Sequence, residues 1–97
     1  MGKPTPPLNH FPGKTGMFYV YVIQAIGQDG RFYIGRTGDL RRRLAEHNAG
    51  KSNHTKGSRW RLVYYEAYAS APLAAKRERR LKHDGRARRQ LMERIRE

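Results

Sequence analysis

Residues 17–23 constrain the fold more than any other segment of the sequence. They read MFYVYVI, so β-branched and aromatic side chains fall on both period-2 faces of an extended chain. A strand that alternates apolar and polar residues buries one face, whereas a strand of this composition needs cover on both sides. The sequence therefore predicts a central β-strand with packed layers above and below it.

Two further strands are predicted around this one. Residues 27–30 (GQDG) contain an Asp-Gly pair, which supplies the positive φ that a tight turn needs. Residues 31–35 (RFYIG) then continue as a second strand, so the two runs form a hairpin. Residues 60–68 are rich in Trp, Val and Tyr, which favours a third strand.

The remaining segments carry helical signals. Asp39 can cap a helix whose apolar residues recur at helical spacing, and Gly50 can end it. Pro72 fits the first turn of a second helix, and Gly85 interrupts that helix before a third one. The predicted helices cover residues 39–49, 72–83 and 86–96.

The resulting order, β-β-α-β-α-α, is an α+β pattern in which a three-stranded sheet is flanked by helices. A chain of 97 residues has room for one domain. Residues 1–16 mix Pro, Gly and isolated polar residues without an apolar period, which predicts a disordered N-terminal tail. The folded domain is then expected over residues 17–97.

The charge balance indicates a polyanionic partner. Twenty-one Lys and Arg residues against eight Asp and Glu give a net charge of +13, and such a charge bears on partners rather than on fold. The absence of cysteine excludes a disulfide framework, a thiolate zinc site and a cysteine nucleophile. Without a signal peptide or an apolar run of roughly 20 residues, a cytoplasmic protein with no membrane partner is expected.

Three tyrosines are candidates for a site on the sheet. Tyr19 and Tyr21 lie on one face of the first predicted strand, and Tyr33 can reach that face from the second. Tyrosines are also common on half-buried sheets, where they pack without doing chemistry. From the residues alone, both interpretations remain open.

A second group of candidates could hold a phosphate. Arg43 and His47 are four residues apart on the first predicted helix and therefore share a face, and Arg36 lies just before that helix. The alternative is a solvated cationic face with His47 as a helix-end cation. His54, in the basic loop that follows, could hold a phosphate or be an ordinary loop residue.

Glu78 is the acidic exception in a stretch of Lys and Arg. A carboxylate in that setting could bind a divalent cation, because Mg²⁺ is often held by one or two carboxylates together with phosphate oxygens and water. The alternative is an i,i+4 ion pair with Lys82, which stabilises a helix by about 0.2 to 0.5 kcal/mol.

The ordered segments resemble the GIY-YIG nuclease superfamily. They are Tyr19-Val20-Tyr21, Tyr33-Ile34-Gly35, residues 39–48 (DLRRRLAEHN) and residues 75–82 (AKRERRLK). The resemblance covers about residues 18–91 and is similar to the small stand-alone members. It implies a three-stranded antiparallel sheet flanked by helices and an endonuclease activity.

The resemblance also implies roles for individual residues. Tyr21 matches the tyrosine that closes the first motif, and Tyr33 and Gly35 match the second motif. Arg43 matches the family's helix arginine and Glu78 its metal-binding glutamate, with His47 and His54 at positions that are His or Tyr in many members. Two departures stand out, since Tyr19 replaces the first glycine of the name motif and no residue matches a C-terminal asparagine that some members carry.

The function implied by the resemblance is metal-dependent hydrolysis of phosphodiester bonds in DNA, with one Mg²⁺ or Mn²⁺ on Glu78. Sequence specificity is expected to be low unless a protein partner supplies it, and DNA repair or recombination is a suitable setting. Two alternatives are a nucleic-acid-binding module that does not cleave and a small basic RNA binder; the oligomeric state is left open. The predicted nucleic-acid contacts are Arg36, Arg41, Arg42, Lys51, Lys56, Arg59, Arg77 and Arg80.

Overall fold

The computed structural model describes residues 12–27 and 30–96. Its sheet has the order β2-β1-β3, and β1 pairs antiparallel with both neighbours. The predicted α+β class, the element order and the central place of the first strand are confirmed. The elements are β1 (Lys14–Ile26), β2 (Phe32–Asp39), α1 (Leu40–Asn48), β3 (Arg59–Tyr68), α2 (Ala71–His83) and α3 (Gly85–Arg96).

Strand β1 begins at Lys14, three residues before the predicted start of the domain. Lys14 pairs with Asp39 of β2 beyond a shift in register, and the Thr15 hydroxyl bonds to the Tyr19 hydroxyl. Residues 14–16 are exposed, so the sequence carries no apolar period there. Pairing of Lys14 with the end of β2, rather than burial of side chains, starts the strand. The rest of the predicted tail, residues 1–11, lies outside the described residues, as do Gln28 and Asp29 of the predicted turn.

Helix α1 covers the sheet face that carries the odd-numbered residues of β1, which we call the α1 face. Tyr21 and Ile23 are at most 2% exposed there. Burial of side chains of this size stabilises the fold by about 1.5 to 3 kcal/mol each. The core on this face comprises Tyr19, Tyr21, Ile23, Ala25, Leu40, Leu44 and Trp60.

Helices α2 and α3 cover the opposite face, which carries the even-numbered residues of β1. Val20 and Val22 are at most 1% exposed. The central strand is therefore buried on both sides, as its two-faced apolar sequence predicts. The core on this face comprises Val20, Val22, Ile34, Ala74, Leu81, Ala87 and Leu91.

The helix boundaries follow from capping side chains. The Asp39 carboxylate accepts a hydrogen bond from the Arg42 N–H at 3.1 Å, which caps α1 as predicted. The break between α2 and α3 is at Asp84 rather than at Gly85, which is the first residue of α3. Asp84 is extended, its N–H closes α2, and its carboxylate accepts from the first free N–H groups of α3.

A half-buried polar network joins β3 to α2. The Glu66 carboxylate accepts hydrogen bonds from the Tyr68 hydroxyl at 2.7 Å and from the Arg77 guanidinium at 2.9 and 3.0 Å. Burial raises the pKa of Glu66, but the bonds from Arg77, Tyr64 and Tyr68 outweigh it and lower that pKa to about 2. The network fixes α2 against the sheet. No helix within the described ranges is long and apolar enough to cross a membrane.

Candidate active site

The candidate site lies along β2, where α1 on one face and α2 on the other both bring side chains close to Tyr21. Arg43 of α1 and Tyr21 line one small cavity, and the charges of Arg43 and of Glu78 on α2 both act on the Tyr21 phenol. Residues from three separate sequence segments therefore meet as the resemblance implies.

Gly35 allows the Tyr21 ring to take this position. The two residues are direct partners in the β1–β2 register. A Cβ atom on Gly35 would collide with the hydroxyl and two ring carbons of Tyr21. The ring therefore lies across the glycine backbone, and this close approach explains why position 35 is a glycine.

Behind Tyr21 lies a fully buried histidine. The Tyr21 hydroxyl is 2.7 Å from His47 Nε2, and His47 Nδ1 is 2.7 Å from Thr55 Oγ1. Burial, and after it the charge of Arg43, lowers the pKa of His47 to about 4, so the imidazole is neutral at neutral pH. His47 is therefore not the helix-end cation that sequence offered as the alternative.

The Tyr21 phenol is subject to opposing influences. Burial raises its pKa to about 12, while the hydrogen bond and the charge of Arg43 lower it. The Arg43 guanidinium, about a third exposed, also donates to the Glu46 carboxylate at 3.1 Å. Burial lowers the pKa of Arg43, but its bonds to Tyr21 and Glu46 raise that pKa overall, so Arg43 stays cationic.

Glu78 lies between two cations. Its carboxylate is 3.4 Å from Arg36 Nε and 3.4 Å from Lys82 Nζ, and its side chain is 17% exposed. The i,i+4 pair with Lys82 is thus present, but Glu78 also faces the site. No cluster of three or more His, Cys, Asp or Glu exists among the described residues. A lone carboxylate fits Mg²⁺ only where substrate phosphate and water supply the remaining ligands.

Tyr33 connects the two sides of the site. Its ring meets His47 edge to face at 5.2 Å between centroids and lies near parallel to the exposed His54 ring at 6.4 Å. Lys82 Nζ lies 5.6 Å from the ring centroid. Two of the three candidate tyrosines therefore converge. Tyr19 does not, since its hydroxyl bonds to Thr15 and its ring packs on Tyr65.

The predicted nucleic-acid contacts divide into two groups. Arg77 differs from the others because its guanidinium is half-buried and bound by the Glu66 carboxylate of β3, so it is not free to contact a phosphate. The remaining seven, all exposed, are Arg36, Arg41, Arg42, Lys51, Lys56, Arg59 and Arg80. Lys14 and Arg42 also line an open groove of about 330 Å³ beside Arg43.

Sequence reasoning missed two residues of this site. Lys82 was considered only as an ion-pair partner of Glu78, although its spacing from Glu78 already places it on the same helix face. Thr55 carries no motif signal, because its contact with His47 depends on how the loop folds back over α1.

The family assignment agrees with this geometry. The family model described as the GIY-YIG catalytic domain matches residues 17–91. The chain belongs to the GIY-YIG family of nucleases. Over 78 residues it is 40% identical to a UPF0213 protein of Halobacterium salinarum, a match that covers 78% of this chain and 99% of that protein.

Two further relatives support the likeness to small members of the family. A UPF0213 protein of Lacticaseibacillus paracasei is 38% identical over 79 residues, which cover 79% of this chain and 86% of that protein. The solution NMR structure of the UPF0213 protein BH0048 from Bacillus halodurans superimposes with a TM-score of 0.50 at 35% identity, covering 79% of this chain and 83% of that one.

Proposed function

We propose that this protein is an endonuclease that requires a divalent cation and hydrolyses phosphodiester bonds in DNA. The observation that carries the proposal is the meeting of Tyr21, Arg43 and Glu78 in one site although they come from a strand and two different helices. The net charge of +13 supports a polyanionic substrate.

Arg43 and Tyr21 act on the scissile phosphate and the attacking water. The planar guanidinium of Arg43 donates to phosphate oxygens, whose negative charge grows as the bond breaks. Tyr21 positions the water through its hydroxyl or, as a phenolate, accepts the proton of the water. Arg43 already lowers the pKa of Tyr21 against the effect of burial, which favours the phenolate when further positive charge arrives.

Glu78 would hold the cation, Mg²⁺ or Mn²⁺. When bound there, the cation supplies positive charge to the phosphate and to the departing oxygen. Arg36 and Lys82 now neutralise Glu78. With a cation held by Glu78, Arg36 and Lys82 would be free to contact the phosphate oxygens of the substrate.

Tyr33 and His54 orient the phosphate or the water, since their rings flank the site from β2 and from the loop. The exposed cations contact the DNA backbone without reading bases, so intrinsic sequence specificity is low. A partner protein would supply target choice, and DNA repair is a suitable setting for such an enzyme.

The test is incubation of the purified protein with labelled linear, flap and branched DNAs, with and without Mg²⁺ or Mn²⁺. We expect cleavage only with the cation. Glu78→Gln should lose cleavage and keep DNA binding, because it removes a cation ligand and one negative charge from a phosphate-binding surface. Glu93→Gln, an exposed change on α3, is the matched control and should cleave normally.

Two results would contradict the proposal. Normal cleavage by Glu78→Gln at the same cation concentration would remove Glu78 from the chemistry. Tight DNA binding by the wild type without cleavage of any substrate would favour the non-catalytic binding module.

A further inference from the structure

A buried hydrogen-bond chain extends from the candidate site into the protein. It joins Tyr21 Oη to His47 Nε2 and His47 Nδ1 to Thr55 Oγ1, with 2.7 Å for each bond. His47 and Thr55 are both 0% exposed. The mechanism above makes no use of Thr55, and the direction of these two hydrogen bonds decides what Tyr21 can do.

The protons of the chain can be placed by counting donors. A neutral imidazole has one N–H, and a threonine hydroxyl has one proton to donate. Burial keeps His47 neutral. Among the described residues, Thr55 Oγ1 has no hydrogen-bond partner other than His47 Nδ1. If Thr55 accepted from Nδ1–H, its own proton would be buried without an acceptor, which is unfavourable.

Thr55 therefore donates to His47 Nδ1. The single imidazole proton is then on Nε2 and points at the Tyr21 oxygen. Arg43 lines a small cavity together with Tyr21, and its charge acts on the same phenol. The Tyr21 proton is then turned toward the candidate site, where the attacking water or the phosphate of the proposed function accepts it. Thr55 is 0% exposed and has no such outlet, so among the described residues only this arrangement gives every proton an acceptor.

We infer that Thr55 is a positioning residue that fixes the Nε2–H tautomer of His47 and so makes His47 a donor to Tyr21. The inference rests on the proposed nuclease function, which supplies the acceptor of the Tyr21 proton and the catalytic consequence. His47 is then not the acceptor of the Tyr21 proton. Instead, His47 and Arg43 together hold the Tyr21 oxygen in place and stabilise negative charge on it.

The loop holds Thr55 firmly enough for this role. The Trp60 indole N–H donates to the Thr55 carbonyl at 2.8 Å, and the Thr55 N–H donates to the Ser52 carbonyl at 3.2 Å. Asn48, the last residue of α1, bonds to both backbone groups of Trp60. The helix that carries His47 and the loop that carries Thr55 are thus tied to the same residue of β3.

The test is the tautomer of His47, read from long-range ¹H–¹⁵N correlations of the imidazole in ¹⁵N-labelled protein. We expect one form, with the proton on Nε2, in the wild type and in Thr55→Ser. Thr55→Val keeps the side-chain shape but removes the donor, so the Nδ1–H form should appear. Thr15→Val, which removes the hydroxyl bonded to Tyr19, is the matched control and should keep the wild-type tautomer.

Cleavage kinetics give the second readout. Thr55→Val should lower kcat by about 10-fold or more with KM for DNA unchanged, as expected for loss of a residue that orients a functional histidine. Thr55→Ser should restore kcat. If Thr55→Val does not fold, the His47 tautomer and the kcat of the wild type and of Thr55→Ser decide the outcome.

The results separate this inference from the proposed function. An Nδ1–H tautomer or a mixture in the wild type, or unchanged kcat and tautomer in Thr55→Val, would overturn the role of Thr55 even if DNA is cleaved. An Nε2–H tautomer that depends on Thr55 supports the role even in a protein that cleaves no DNA, in which case the nuclease proposal fails instead.

Discussion

As the pH falls, protonation of His47 should destabilise this protein before Glu66 is protonated. His47 has a pKa of about 4 in the fold, against an ordinary value of 6.5. Between these values the unfolded chain binds one more proton than the folded one, so the free energy of unfolding falls as pH falls. At about 1.4 kcal/mol per pH unit between the two pKa values, the free energy of unfolding falls by roughly 3 kcal/mol from pH 7 to pH 4.

The assay is urea unfolding at several pH values for the wild type and for His47→Gln, which cannot titrate. The variant is less stable at neutral pH, but the other groups titrate as before, so the difference in pH slope belongs to His47. The wild type should lose roughly 3 kcal/mol more than the variant between pH 7 and pH 4. Equal slopes would refute a neutral, buried His47 and the donor count built on it.

Three further predictions concern packing, the polar network and DNA binding. Gly35→Ala should lower the free energy of unfolding in urea by about 1 to 3 kcal/mol, because the added Cβ pushes the Tyr21 ring aside. Gly38→Ala, with open space around its Cβ, should change this free energy little. Glu66→Gln should lower the free energy of unfolding in urea by about 2 kcal/mol, because it weakens the bond to the half-buried Arg77, and it should leave cleavage unchanged because neither residue takes part in the proposed chemistry. If the protein neutralises roughly five DNA phosphates, the logarithm of its DNA-binding constant should fall against the logarithm of the salt concentration with a slope of about −4.5. Arg80→Ala should make this slope shallower by about one unit.

Much of the fold could be predicted because residues 17–23 allow few alternatives. A strand that is apolar on both faces must be central, and the capping signals then fix where the helices begin. The start of β1 differs from the prediction because residues 14–16 are exposed and carry no apolar pattern, whereas Lys14 pairs with Asp39 at the end of β2.

The site was predicted less completely, for a physical reason. Tyr21, Tyr33, Arg43 and Glu78 belong to motifs that can be read from a sequence, and the fold brings them together. Arg77 and Thr55 differ, because contacts that only the tertiary fold creates decide their roles. The Glu66 carboxylate binds the Arg77 guanidinium, and loop folding places Thr55 on His47.

The most direct test of the proposed active site is the single-turnover cleavage rate of Tyr21→Phe at saturating DNA with Mg²⁺. The change keeps the ring over Gly35 and removes only the hydroxyl that Arg43 and His47 contact. We expect a loss of about 100-fold or more, the scale of a positioned acid–base group. Tyr65→Phe, on an exposed tyrosine of the same sheet face, should cleave at the wild-type rate. Equal rates for Tyr21→Phe and the wild type would contradict the proposed site.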